Sequence, residues 1–406
     1  MIFSAFHETP RAQAPRARRW AKLAAPLLAA LALQACVTAP PPGPLMPAYV
    51  APPPPTTAQI EAFAAANRAA QAGDAQAQYT LGKMYYDGQV VPRNDPEALN
   101  WFSKSAAQGN ADGQTSVGNM YFYGRGGVAQ DYAEALKWYR LGAGQGLAKA
   151  QTNLGYMYSN GKGVAQDYAQ AIQWYRKAVA QGYASGQVNL GWMYENGWGV
   201  PQDYAEAVKW YRLAAAQGDA GGQRNLGGMY DSGKGVAQDY AEAVKWLRLA
   251  GEQDDAVSQY NLGWMYAKGQ GVPQDDAEAV KWYRLAANQG HDMAQNNLGV
   301  MYQMGTGVAR DSVQAIYWYR LAAAQGNTLA KGNLDKIGYG QSSGGGGDDY
   351  TVSTPDNSSR DRSPRPHEPQ QRPPQPRPQG TPMPKPQVTI TPAPQPAPKP
   401  TPISSK

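Results

Sequence analysis

Cysteine is nearly absent from this 406-residue chain. Cys36 stands alone, so no intramolecular disulfide can form. Histidine is almost as scarce, with His7, His291 and His367 far apart in sequence. Three scattered imidazoles point to neither a metal cluster nor a Ser-His-Asp triad. The apolar run over residues 23–33 has 11 residues and is broken by Pro26. A helix crossing a bilayer needs about 20. A charged footprint is missing too. The formal net charge is +6, but Lys+Arg against Asp+Glu is 5 to 1 before Cys36, 24 to 25 over residues 58–338 and 8 to 5 over 339–406. The central region is close to neutral, so nucleic acid is not an expected partner. The glycines of "GKGV" lack the strand-to-helix context of a phosphate loop, and no cofactor is implied.

Repetition is what the chain has in quantity. "DYAEAVKWYRLAAAQG" at 203–218 returns as "DYAEAVKWLRLAGEQ" from Asp239, "DYAEALKWYRLGAGQG" from Asp131 and "DYAQAIQWYRKAVAQG" from Asp167. Tryptophans at 101, 138, 174, 210, 246, 282 and 318 set a period of 36 residues, with one step of 37. The longer step coincides with an extra glycine in "GRGGV" at 124–128, and an insertion confined to one spot marks a loop. Between the tryptophans a Leu-Gly-x-Met-Tyr phrase recurs, as at Leu190-Gly191 and Leu226-Gly227. Seven copies and a remnant near Leu334 follow.

Each copy reads as two helices and a turn. Asp203 is a good N-cap and Glu206 lies three residues on, a capping-box spacing. Gly218 suits the left-handed residue that closes a helix. Tyr204, Ala207, Val208, Tyr211, Ala214 and Ala215 recur at helical spacing with Trp210 beside them, while Lys209 and Arg212 take the wet face. Residues 219–238 read as a shorter helix and a Gly-rich turn. A glycine inside a helix costs roughly 1 kcal/mol against alanine. Its recurrence at Gly191 and equivalents is expected to reflect close approach of another helix backbone. One hairpin cannot bury its apolar face alone, but stacked hairpins share a core.

The pattern "NLGxMYxxGxGVxQDYxxAxxWYRxAAxQG", best seen at 189–218 and 225–253, resembles the Sel-1-like repeat family, a relative of tetratricopeptide repeats. The resemblance spans about residues 70–338, with departures at "RNDPEALNWFSKSAAQG" and "RDSVQAIYWYRLAAAQG" near the edges. It implies an all-α fold, a right-handed α/α solenoid of about seven repeats, used as a non-enzymatic protein-interaction scaffold.

The flanks differ in kind. Residues 1–35 open with Arg11, Arg16, Arg18, Arg19 and Lys22 before the short apolar run, which suits a signal peptide. They end in "LQA" before Cys36, which looks like a bacterial lipobox with Cys36 as the lipidated residue; the alternative is an ordinary signal peptide beside a chance cysteine. Val37 after it resembles outer-membrane sorting, so the expected location is the periplasmic side of the outer membrane. Residues 36–57 read as a Pro-rich linker, 58–338 as the solenoid and 339–406 as a disordered Gly/Ser-rich, then Pro-rich tail.

Candidate functional residues come from variation. Three positions in the first helix of each copy change freely at spacing i, i+4, i+7 and share one face. They read Tyr79, Lys83, Tyr86; Thr115, Asn119, Phe122; Thr152, Tyr156, Ser159; Val188, Trp192, Glu195; Arg224, Gly228, Asp231; Tyr260, Trp264, Ala267; and Asn296, Val300, Gln303. In related solenoids first helices line the concave side, so this face is expected to hold an envelope protein or peptide. Trp192 and Trp264 are expected to be exposed, and Trp210 and Trp246 to be core. The alternatives are an ordinary solvated face, or a peptidoglycan-binding surface with Trp192 and Trp264 as stacking platforms. Ser159-x-x-Lys162 matches one motif of penicillin-interacting serine enzymes but has no Lys-Thr-Gly partner, and reads as turn chemistry.

Overall fold

The structure, a computed structural model, describes residues 54–339. The expected signal peptide, Cys36, most of the Pro-rich linker and the C-terminal tail lie outside these residues. Sixteen α-helices and no strand occur among the described residues. Helix α1 (Thr57–Gln71) precedes seven hairpins. The hairpins are α2 (Ala75–Asp87) with α3 (Asp95–Ala107), α4 (Ala111–Tyr123) with α5 (Tyr132–Gly144), and α6 (Ala148–Asn160) with α7 (Tyr168–Val179). Next come α8 (Ala184–Asn196) with α9 (Tyr204–Ala216), α10 (Ala220–Ser232) with α11 (Tyr240–Gly251), and α12 (Ala256–Lys268) with α13 (Asp276–Asn288). The last hairpin is α14 (Asp292–Met304) with α15 (Ser312–Ala324), and α16 (Thr328–Tyr339) ends the row. First helices are not the shorter ones: α10 has 13 residues and α11 has 12.

The helix ends follow the caps in the sequence. Asp203 Oδ1 accepts from the Glu206 backbone N–H at 2.9 Å, and Asp131, Asp167 and Asp275 cap their helices in the same way. The capping box expected at Asp203 is only half present, because the Glu206 carboxylate accepts from Lys209 Nζ at 2.7 Å instead. A cation one turn away outbids a neutral backbone donor for that carboxylate. Gly218 does adopt the left-handed region, at φ +83°.

The recurring helix glycine meets a side chain before it meets the backbone that was expected. A Cβ on Gly191 would lie 2.8 Å from a ring carbon of Tyr211, and one on Gly118 or Gly155 would strike Tyr139 or Tyr175 equally closely. The nearest atoms belong to an aromatic ring of the second helix, and the expected backbone lies just behind, with a second-helix carbonyl at 3.1 Å for Gly82, 3.4 Å for Gly118 and 3.3 Å for Gly227. The glycine makes a gap in the first helix and the tyrosine fills it, so these rings are among the most completely buried side chains. Phe102 and Leu247 fill the gap in the first and fifth repeats.

A second link ties the two helices of each repeat together and then reaches back to the repeat before. Gln217, at the end of α9, donates its amide to Gln187 Oε1 at 2.8 Å. Gln223 in turn reaches back to the Ala215 carbonyl, and Gln259 to that of Gly251 at 2.8 Å. Equivalent Gln–Gln pairs occur in all seven repeats, from Gln108–Gln78 to Gln325–Gln295. Buried amides left without partners would cost about 1–3 kcal/mol each, and here Gln223 and Gln259 each serve as donor and acceptor.

First helices also pack against first helices of the next repeat, as in α6 on α8 and α8 on α10, with no comparable packing between successive second helices. The row therefore curves with first helices inside and second helices outside. Its ends lack the ring and the gap. In α1 the register of Tyr211 is held by Ala66, and in α16 the register of Gly191 is held by Asp335.

Candidate functional site

The variable positions of the first helices lie on the inner side, and that is what closes most of them off. Where helices converge on the inside of a curve, neighbouring side chains cover one another. Trp192 retains only 7% of its surface exposure. Its indole meets Trp198 edge-to-face at 4.2 Å between centroids, and Tyr168 stacks on the other ring at 5.2 Å. The expectation of an exposed Trp192 is thus overturned, and its buried indole offers no stacking platform for a sugar. Trp264, at the same register, is half-buried with Lys268 Nζ 4.9 Å above its ring. Trp210 and Trp246, expected as core, are half-buried and so more open than Trp192.

Phe122, Glu195 and Tyr260 are buried as well, against the exposed face anticipated for them. Glu195 Oε2 accepts the Tyr211 hydroxyl at 2.7 Å. Ser159 shares a hydrogen bond with the Tyr175 hydroxyl at 3.2 Å, and Asn119 Oδ1 accepts from Tyr139 at 2.7 Å. These side chains vary because each answers a local need of the ring that fills the glycine gap. Ser159 therefore belongs to the last turn of α6 rather than to a loop, and Lys162 Nζ sits over the Tyr132 ring at 5.0 Å. Tyr260 stacks on His291 at 4.7 Å, and that histidine, in the connection just before α14, is its N-cap. Tyr156 is half-buried, packed edge-on to Phe122 at 5.9 Å.

Two stretches stay open. Arg224 is half-buried and pairs with Asp255 at 2.7 Å in the fifth repeat. In the first repeat Tyr79 and Tyr86 are half-buried and Lys83 is exposed, its ammonium paired with Asp87. Tyr86 accepts from Arg125 Nη1 at 2.6 Å, with the Arg93 guanidinium 4.9 Å from its ring centroid. Charges from three successive first helices influence one another here. Partial burial raises the Tyr79 pKa, with Asp112 and Asp87 adding to it. Lys149 keeps its solvent contact, yet desolvation inside the curve lowers its pKa against the pull of Asp112, and Lys83 deepens the depression.

Among the described residues no group of three or more His, Cys, Asp or Glu could hold a metal, and no helix is long and apolar enough to cross a membrane. The sequence reading missed the Gln–Gln pairs, although glutamine stands at both registers in every copy.

Matches to the Sel1 repeat model cover residues 75–110, 111–147, 148–183, 184–219, 220–255, 256–291 and 292–327 in unbroken succession. The chain belongs to the Sel1 repeat family. Among solved structures it is similar to a protective antigen of uropathogenic Escherichia coli strains that displays an SLR fold. That likeness has 37% identity and a TM-score of 0.54, covering 69% of this chain and 60% of the antigen. A Sel1 repeat protein from Oxalobacter formigenes matches at 36% identity and TM-score 0.53, covering 68% of this chain and 80% of that one. No curated protein matches. Sel1 repeat proteins are generally non-catalytic protein-interaction scaffolds.

Proposed function

We propose that this Sel1 repeat protein is a non-enzymatic scaffold of the bacterial cell envelope. It holds a protein or peptide partner on the inner face of its first three repeats. The observation that carries this reading is the convergence of Lys83, Asp87, Asp112 and Lys149 beside Tyr79, on the part of the inner face that neighbouring side chains leave open. Aromatic surface rimmed by both signs of charge suits a polar peptide, which can bury apolar groups on the tyrosines and pair its ends with the rim. The test is affinity capture from envelope extract with the intact chain and with Lys83→Glu/Lys149→Glu. The variant is expected to keep the parent's melting temperature and lose at least one partner. An identical set of captured proteins overturns the placement.

In this reading Cys36 carries the lipid that tethers the scaffold to the periplasmic side of the outer membrane. Cys36→Ser is expected to leave the solenoid folded and release it from washed membranes, because stable attachment then has no acyl chains. A variant that still sediments with membrane after a high-salt wash, and is processed like the parent, would refute the anchor.

A further inference from the structure

The outer surface carries an order that the inner site does not use. Second helices repeat Trp-Tyr-Arg-Leu or close variants of it. The leucine register is exposed, at 49% for Leu213, 39% for Leu249 and 45% for Leu285. In the first and third repeats a lysine takes that register, and Lys104 and Lys177 lie over Trp101 and Trp174 at 4.0 and 3.7 Å. Lysine therefore serves the helix at this register while staying wet. Three consecutive repeats nonetheless present leucine beside the half-buried Trp210, Trp246 and Trp282.

The charges nearby fall into two rows. Lys209, Lys245 and Lys281 are each neutralised by a glutamate three residues earlier. The arginines are not. Arg140, Arg176, Arg212 and Arg284 donate to the hydroxyls of Tyr158, Tyr194, Tyr230 and Tyr302 at 3.1, 3.4, 3.0 and 2.8 Å, and Arg248 donates to Tyr266. Among the described residues none of these five pairs with a carboxylate, whereas Arg93 and Arg224 do. A tyrosine hydroxyl fixes the guanidinium without cancelling its charge. The remaining N–H donors keep the planar fork that binds carboxylates bidentately.

We propose that the outer face of repeats four to six is a second interaction surface. It takes an acidic segment of a partner protein, extended along the row of second helices. Carboxylates of the segment sit on Arg212, Arg248 and Arg284, and its apolar side chains lie on the Trp–Leu pairs. Second helices stand on the outside of the curve, so the about 8–10 Å between packed helices is the least distance between them; with an extended chain rising about 3.3 Å per residue, about three residues is the shortest stretch that spans one repeat. The segment carries one acid and one apolar residue in each such triplet. A purely polyanionic polymer would leave the leucines wet.

The probe is a labelled peptide about fifteen residues long, with Glu and Leu at fixed places in every triplet, titrated against the intact chain. A scrambled peptide of the same composition and a polyphosphate of equal charge are the comparisons. The phased peptide is expected to bind about thirtyfold more tightly than the scrambled one, the scale of one good hot spot. Leu213→Ser/Leu249→Ser and Arg212→Gln/Arg248→Gln are each expected to abolish that preference, while Lys83→Glu/Lys149→Glu leaves it intact. Melting temperatures separate lost binding from lost folding, and the leucine variant, which touches no hydrogen bond, decides should the arginine variant melt early. Equal affinity for both peptides, polyphosphate binding as tight as the peptide's, or loss in the inner-face variant would overturn the proposal.

Discussion

The inner and outer faces of this solenoid invert a common intuition about repeats. Inside, positions that differ from copy to copy are largely buried, Trp192, Glu195 and Tyr260 among them. Outside, leucines that recur in register stand in solvent, and the arginines beside them are exposed, as at Arg212, or half-buried, as at Arg248 and Arg284. Variation on the inner face therefore reflects adjustment to individual neighbours, and constancy on the outer face is not a sign of core packing. Exposure has to be read from curvature, since the inside of a curve crowds side chains and the outside spreads them.

That contrast can be broken in four ways, taken from the largest expected effect down. Burial raises the pKa of Tyr139 and of Tyr175 and Tyr283 above the ordinary 10.0, desolvation being the leading cause in each. A raised folded-state pKa contributes stability that is present below pH 10 and is lost as pH rises above it. Each such tyrosine steepens the loss by up to about 1.4 kcal/mol per pH unit. Denaturant midpoints measured at roughly pH 9 and pH 11 should diverge sharply. Equal midpoints would mean that the inner packing is open to hydroxide.

Trp192→Ala should cost about 3–5 kcal/mol, as for other buried aromatic truncations, and Trp264→Ala distinctly less. The reverse ranking in urea melts would put Trp192 back on an open face. Gly191→Val crowds the Tyr211 ring and is expected to cost about 1–3 kcal/mol from overpacking. Pairing it with Tyr211→Ala should recover part of that loss, because the ring it strikes is gone. Leu249→Ser on the outer face is expected to stay within about 0.5 kcal/mol of the parent. A larger drop would show that this leucine packs within the molecule after all.

Most of the architecture was legible from spacing alone. A 36-residue tryptophan period with Asp and Gly at fixed offsets leaves little choice but a stacked hairpin. The inner face was legible as a face but not as an environment. Whether Trp192 meets water depends on Trp198, a loop residue that breaks the Lys pattern of "GKGV", and on how sharply the row bends. Helical periodicity within α8 carries neither fact. The glycine gap was found by its recurrence but assigned to a backbone alone, because the sequence does not say which part of the neighbour is nearest. The Gln–Gln pairs escaped for the opposite reason: a polar residue at a helix end looks solvated until its partner, 30 residues away, is in view.

The glycine gap and the ring that fills it lie within one hairpin, and the glutamine link reaches only one hairpin back. Removing residues 184–219 would bring Gln223 to the Val179 carbonyl at the offset it now keeps from Ala215, so the joint would be rebuilt from the same parts. Gain or loss of whole 36-residue copies would then yield longer or shorter arrays by whole modules, each still sealed by α1 and α16. An array built with six hairpins should show the parent's ellipticity per residue; a collapse of that signal would mean the modules are not interchangeable. Copy number thus becomes a heritable dimension of this molecule, one that sets how long a surface it shows without redesigning any joint.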